Sequence, residues 1–168
     1  MEKKANLASE IKYPFLPIGR TILYVGPDNP YMQVAQGLWA KGGCAKQPTA
    51  AVIVKEGQII GQGTNAGIRV LECARWGSPT GTNYGPCKDV CHQEGHAETM
   101  AIKDALSQGL DCQGADLYLY GHWWCCEPCW QAMITAGIKD VYLVENSWNL
   151  FNPEINLEMK DWGKPKGL

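Results

Sequence analysis

The stretch Cys125–Glu145, "CCEPCWQAMITAGIKDVYLVE", decides the fold. Glu127 and Pro128 suit the first turn of a helix. The helical pattern runs to Ala136, and Gly137 supplies its stop. The apolar run "KDVYLVE" (139–145) then reads as a strand. Just upstream, "ADLYLYG" (115–121) reads as another buried strand. Strand, helix and strand in such quick succession predict an α/β layer fold with a mainly parallel second half.

Working outward, a helix begins at Ala97, with Met100, Ala101, Ala105 and Leu106 on one face and Gly109 ending it. Further upstream, Ala51–Lys55 and Gln58–Gly61 flank Glu56-Gly57, a β-hairpin signal. Asp28-Asn29-Pro30 opens a helix whose apolar face is Met32, Val34, Ala35, Leu38 and Trp39, and Gly42-Gly43 closes it. Residues 1–29 read as an extended arm in which Thr21–Val25 offers a short strand. Residues 66–95, rich in Gly, Pro, Thr and Cys, read as a long irregular loop of the kind that carries function or is tied down. Residues 146–168 read as a docked polar and aromatic tail. With no repeat and no linker, the 168 residues are expected to form a single domain.

Composition narrows the function. The formal net charge is −2, so the basic footprint of a phosphate-backbone binder is missing and nucleic acid is not an expected partner. Lys3-Lys4 and Lys164/Lys166 read as solvated ends. No apolar run reaches bilayer length, and no membrane association is expected. "MEKKANLASEIKYPF" lacks the apolar core of a secretory signal, which points to a cytoplasmic location. There the eight cysteines should stay reduced, and clustered ones are better metal ligands than disulfides.

Two motifs carry the chemistry. His96, Ala97 and Glu98 open one helix; about thirty residues on, Cys126 and Cys129 open another. Thiols three apart lie together on a first helical turn, where the helix dipole favours thiolate. One imidazole and two thiolates leave a zinc ion's fourth position for water, which zinc acidifies towards hydroxide near neutral pH. Glu98 is spare as a ligand and placed to carry protons. The competing reading is a redox C-x-x-C beside an unrelated histidine.

These residues resemble the zinc-dependent cytidine/deoxycytidylate deaminase superfamily, whose signature is H-x-E followed by P-C-x-x-C. Cys125 stands where the signature has proline, while Cys126 keeps the C-x-x-C spacing to Cys129. The likeness covers roughly residues 30–145, including "AAVIVKEGQIIGQGTNAG" as the first hairpin, and leans towards the deoxycytidylate (dCMP) branch. It implies a three-layer α/β/α sandwich around a mixed five-stranded sheet. It implies His96, Cys126 and Cys129 as zinc ligands, Glu98 as the proton carrier, and Asn65 and the Ala97 amide as substrate contacts. It also implies a homo-oligomer and a small nucleotide or nucleobase substrate, dCMP first, with Arg69, Arg75 and Lys88 available for a phosphate. Another amino-heterocycle (guanine, a nucleoside, a pterin or flavin precursor, a nucleic-acid base) or a non-catalytic zinc fold is the alternative.

Cys73, Cys87, Cys91 and His92 in the long loop offer donors for a second, structural zinc, with Cys44 a further donor nearby. His122 reads as a wall of the pocket rather than a ligand. Trp123, Trp124 and Trp130 flank the ligands as core or stacking residues, and Tyr84 and Trp76 could cover a substrate.

Overall fold

Glu56 and Gly57 take left-handed backbone angles (φ 51° and 76°), the geometry of a tight hairpin turn. They join β2 (Ala50–Lys55) to β3 (Gln58–Thr64), which is longer than the sequence suggested. The computed structural model describes residues 11–79 and 82–167. The first ten residues of the expected arm, Lys3 and Lys4 included, lie outside the described residues.

The remaining elements follow in order. β1 (Ile22–Val25) and α1 (Pro30–Lys41) precede the hairpin. After it come α2 (Gly85–Asp89), α3 (Ala97–Ser107), β4 (Asp116–Tyr120), α4 (Glu127–Ala136), β5 (Asp140–Val144), α5 (Ser147–Phe151) and a 3₁₀ turn at Leu157–Asp161. The five strands form one sheet in the order β1-β5-β4-β2-β3. β1, β5 and β4 run parallel, and β2 and β3 run antiparallel. The sheet is mixed, with a parallel half built from β4, α4 and β5 as the opening stretch implied.

Strand alternation splits the core into two layers. Ala51 and Ile53 of β2, with Leu117, Leu119, Val141 and Leu143, face α3 and α4 through Ala101, Ala105, Trp130 and Met133. Val52 and Val54, with Tyr118, Tyr120 and Val144, face α1 and the C-terminal segment through Met32, Ala35 and Phe151. The result is an α/β/α sandwich.

One expectation about α3 fails. Leu106 is 58% exposed, and the buried face is Ala97, Glu98, Ala101, Ile102 and Ala105. The cause lies in β3. A Cβ at Gly63 would sit 2.6 Å from Ala97 O and 2.8 Å from Met100 C, and one at Gly61 would sit 3.0 Å from the Ala105 Cβ. Two glycines let the helix backbone press onto the strand, and only alanines fit between. The described residues of the long segment 66–95 are irregular apart from α2, as expected.

Candidate metal centre and its pocket

His96 is the N-cap residue of α3 and Cys126 that of α4, both in extended backbone. The two helices lie side by side on the same sheet face, so their first turns meet. His96 Nδ1 lies 3.4 Å from Cys126 Sγ and 3.3 Å from Cys129 Sγ. Among the described residues, this is the one set of three candidate donors that fall within 4.8 Å of one another. Donors on a tetrahedral ion with bonds of about 2.1–2.3 Å stand roughly 3.5 Å apart, so the trio fits zinc. Imidazole and thiolate together favour a borderline-soft ion over magnesium or calcium.

The electrostatics fit a cation-binding site. The Cys126 thiol is pushed down to about 4, first by the hydrogen bond from the Cys129 thiol and then by His96, against the cost of burial. Cys129 moves up in turn, because it donates to Cys126 and is buried. Hydrogen bonding to Cys126 raises His96. The pair therefore shares one negative charge, ready for a cation.

Glu98 is 4% exposed, and burial raises its carboxyl above the usual range; its own backbone N–H and the charge of His96 oppose this. Cys125 is fully buried, and burial first, then the neighbouring Glu98 carboxyl, pushes its thiol well above the usual range. The residue that replaces proline therefore faces the carboxylate, while Cys126 faces the trio.

His96, Glu98 and Cys126 line a cavity of about 320 Å³ together with Lys46, Asn65, Arg75, Tyr84, Ala97, His122 and Trp124. No side chain caps α3 or α4, so their first-turn N–H groups, that of Ala97 included, lack intrahelical partners. Asn65 is largely occupied: its Oδ1 accepts from the Cys44 and Thr49 amides at 2.9 and 3.1 Å, and its Nδ2 donates to Gln47 O at 2.9 Å. One Nδ2 hydrogen remains. His122 Nδ1 accepts from the Trp123 and Trp124 amides at 3.0 and 3.3 Å. That fixes the proton on Nε2, and burial pushes the ring's pKa down to about 4, keeping it neutral.

Other sequence-flagged residues fall elsewhere. Trp130 is core, Trp123 packs edge-on against Trp148, and Trp76 donates to Lys160 O; of the three tryptophans flanking the ligands, Trp124 alone lines the cavity. Arg69 bonds Ala40 O, and neither it nor Lys88 lines the cavity. His92 is exposed and lines a separate groove of about 790 Å³, which holds none of the trio. Lys46, which sequence reasoning missed, lines the cavity beside Arg75. Its only sequence cue is its closeness to Cys44 ahead of β2.

No helix is long and apolar enough to cross a membrane among the described residues. Comparison with known proteins gives a consistent answer. The family model for the cytidine and deoxycytidylate deaminase zinc-binding region matches residues 26–145. ComE operon protein 2 of Bacillus subtilis (strain 168) is 31% identical over 120 residues, 70% of this chain and 59% of that protein's length. The chain thus spans somewhat over half of the curated relative it matches. Similar solved structures include dCMP deaminase from the cyanophage S-TIM5 in apo form (22% identity, 72% of this chain and 86% of that one, TM-score 0.48). Guanine deaminase from Bacillus subtilis is another (25% identity, 74% and 70%, TM-score 0.41). At such scores neither superposition bears on the substrate. The family match, spanning the hairpin, the trio and both flanking helices, decides the matter: this chain belongs to the cytidine and deoxycytidylate deaminase family, whose members are zinc-dependent hydrolases.

Proposed function

We propose that this chain hydrolytically deaminates the cytosine ring of a small nucleotide, dCMP before its relatives. The observation that carries this is the buried Glu98 lining the same cavity as His96 and Cys126, two of the three donors that lie together with Cys129. His96 Nδ1 and the two sulfurs hold zinc, which when bound supplies the Lewis acidity that brings water to the hydroxide level near neutral pH.

The chain's own groups do the rest. Glu98 takes a proton from the water attacking C4, delivers it to the ring nitrogen and then helps protonate the departing ammonia. Burial keeps its carboxyl able to hold that proton. The Cys125 thiol steadies the carboxyl from behind. The Ala97 N–H, at an uncapped helix start, donates to the base carbonyl, and the spare Asn65 N–H meets a sugar hydroxyl. His122 Nε2–H adds a fixed neutral donor, and Trp124 and Tyr84 offer ring faces for the base.

The choice of a nucleotide over a free base rests on two cations in the wall. Arg75, 9% exposed, stacks over Tyr84 at 4.4 Å and uses Nε and Nη2 on the Thr82 and Pro79 carbonyls, so that among the described residues Nη1 stays available for an anion. Lys46 reaches Ser78 O at 3.4 Å, a long bond that a phosphate would readily replace.

An ammonia-release screen over dCMP, cytidine, cytosine, guanine and adenosine tests this reading. dCMP is expected to turn over fastest. Equal rates on dCMP and cytidine would contradict the phosphate assignment, and turnover of guanine alone would contradict the cytosine assignment.

A further inference from the structure

Lys46 and Arg75, the two cations of the cavity wall, belong to stretches of chain far apart in sequence, and neither stretch has a core of its own. Of the described residues from 66 to 95, only Cys73, Arg75 and Cys91 are buried, while Ile68 is 45% exposed, Leu71 78% and Val90 43%. Residues 44–48 are each partly exposed. Stretches with so few buried apolar contacts must be held by other bonds if their side chains are to keep fixed positions.

The C-terminal segment supplies those bonds. The Cys73 amide donates to Gly163 O at 2.6 Å, the Trp76 indole to Lys160 O at 3.0 Å, and the Lys166 amide to Glu72 Oε1 at 3.0 Å. The Lys164 ammonium stands 5.4 Å from the centre of the Trp76 ring. Arg75 lies between Cys73 and Trp76, so the turn that presents it is gripped on both sides. Gly163 also reaches the other stretch. Its φ is 71°, and a Cβ there would lie 3.0 Å from the Cys73 Cβ, from the Ala45 carbonyl carbon and from the Lys46 amide nitrogen. A glycine is what lets three strands of chain meet at this point. The segment itself is anchored by the buried Met159 and by Trp162, which meets Trp39 edge-on at 6.3 Å on the α1 side of the sheet. It lies beyond residues 26–145, where the family model matches.

We propose that the segment Met159–Lys166 is a clasp that sets the spacing of Lys46 and Arg75, with Gly163 and Trp76 as its positioning residues, and so fixes the preference for a phosphate-bearing substrate over its nucleoside. The inference rests on reading these two cations as the phosphate contacts. A phosphate gains from both only when they stand at a matching distance. Lys46 already crosses to the same turn, where its Nζ donates to Ser78 O, and the Ser78 amide donates to Arg75 O. Loosening the clasp frees that turn from residues 45 and 46. His96, Glu98, Cys126 and Cys129 are held separately, at the starts of α3 and α4. The loss therefore falls on the phosphate and spares the chemistry at the base.

Two full-length variants test it: Gly163→Ala, which puts a Cβ into the three-way contact, and Trp76→Phe, which keeps a ring but loses the indole N–H. In each, kcat/KM for dCMP is expected to fall about 10-fold, the effect of weakening one charge-assisted hydrogen bond, while kcat/KM for cytidine stays near the wild-type value. An unchanged ratio of dCMP to cytidine, whether both rates hold or both fall together, overturns the clasp. Limited tryptic cleavage of the substrate-free chain gives a readout that no substrate enters. Cleavage after Arg75 is expected to be slow in the wild type and faster in both variants, and equal rates overturn the clasp. Should the wild type process dCMP and cytidine alike, the phosphate reading fails by itself; faster cleavage after Arg75 in the variants then still supports the clasp as the device that places this side chain, and equal cleavage still overturns it. Should Gly163→Ala fail to fold, Trp76→Phe carries both readouts.

Discussion

Cys129 and Cys87 each sit beside a helix start, yet their surroundings differ. Cys129 is 1% exposed, on a ten-residue helix whose neighbours Trp130 and Met133 are sealed into the core. Cys87 is on a five-residue helix with no buried residue at all. The first region is ordered by packing, so its donors already stand at ligand spacing. The second has little core, and its thiols do not stand at ligand spacing. In the first region core packing presets the donors; in the second, backbone hydrogen bonds such as those from Gly67 and Ile68 to Cys91 O hold the chain where a core does not.

Removing the trio should separate the two regions most sharply. His96→Ala or Cys129→Ser is expected to bring ammonia release down to background while leaving the circular dichroism of the sheet and helices native. Loss of secondary structure together with activity would mean that this region depends on its ion and not on packing alone.

The packing claim itself is tested at Gly63→Ala. The added Cβ would meet the α3 backbone, which cannot move without carrying His96 and Glu98 with it. We expect about 3 kcal/mol of destabilisation by chemical denaturation, at the upper end for overpacking, and a fall in kcat. A neutral result would mean that α3 is not held by its close approach to β3.

His122 lies at the edge of the ordered region and tests whether a fixed donor faces the substrate. His122→Phe should raise KM for dCMP about 3- to 10-fold, the worth of one neutral hydrogen bond, with a smaller change in kcat. His122→Gln, which keeps an N–H donor, should recover part of that loss. Unchanged KM in the phenylalanine variant would make His122 a wall and nothing more.

The smallest effect is expected far from both regions. Asp116 Oδ1 is buried without a partner, and burial, then the facing Asp140, raises the carboxyl above its usual value. A carboxyl raised on folding favours the native state only below its unfolded pKa, and that contribution is lost as pH rises through the folded value. Asp116→Asn should therefore raise Tm at pH 7, with the gain shrinking towards pH 4. A gain that grew on acidification would reverse the sign of this assignment.

Local features were readable from the sequence. The Glu56-Gly57 turn, the starts of α3 and α4 and the stop at Gly137 each depend on a few adjacent residues. So does the C-x-x-C spacing that places Cys126 rather than Cys125 beside His96. Features set by long-range contact were not readable. Leu106 looked buried because periodicity cannot register the two glycines on β3 that decide which face of α3 turns inward. Lys46 reaches the cavity because the chain before β2 meets the distant loop, where its Nζ donates to Ser78 O. The exposure of His92 towards a separate groove follows from the way Asn65, Gly67 and Gly163 tie distant segments together.

The central claim is that the His96 trio holds the ion while Glu98 moves the protons. One preparation of Glu98→Gln tests both halves, with zinc content and ammonia release from dCMP measured side by side. The account predicts wild-type zinc and a rate lowered about 100- to 10,000-fold, the range for losing a general acid–base. A variant that kept its zinc and turned over near the wild-type rate would contradict it.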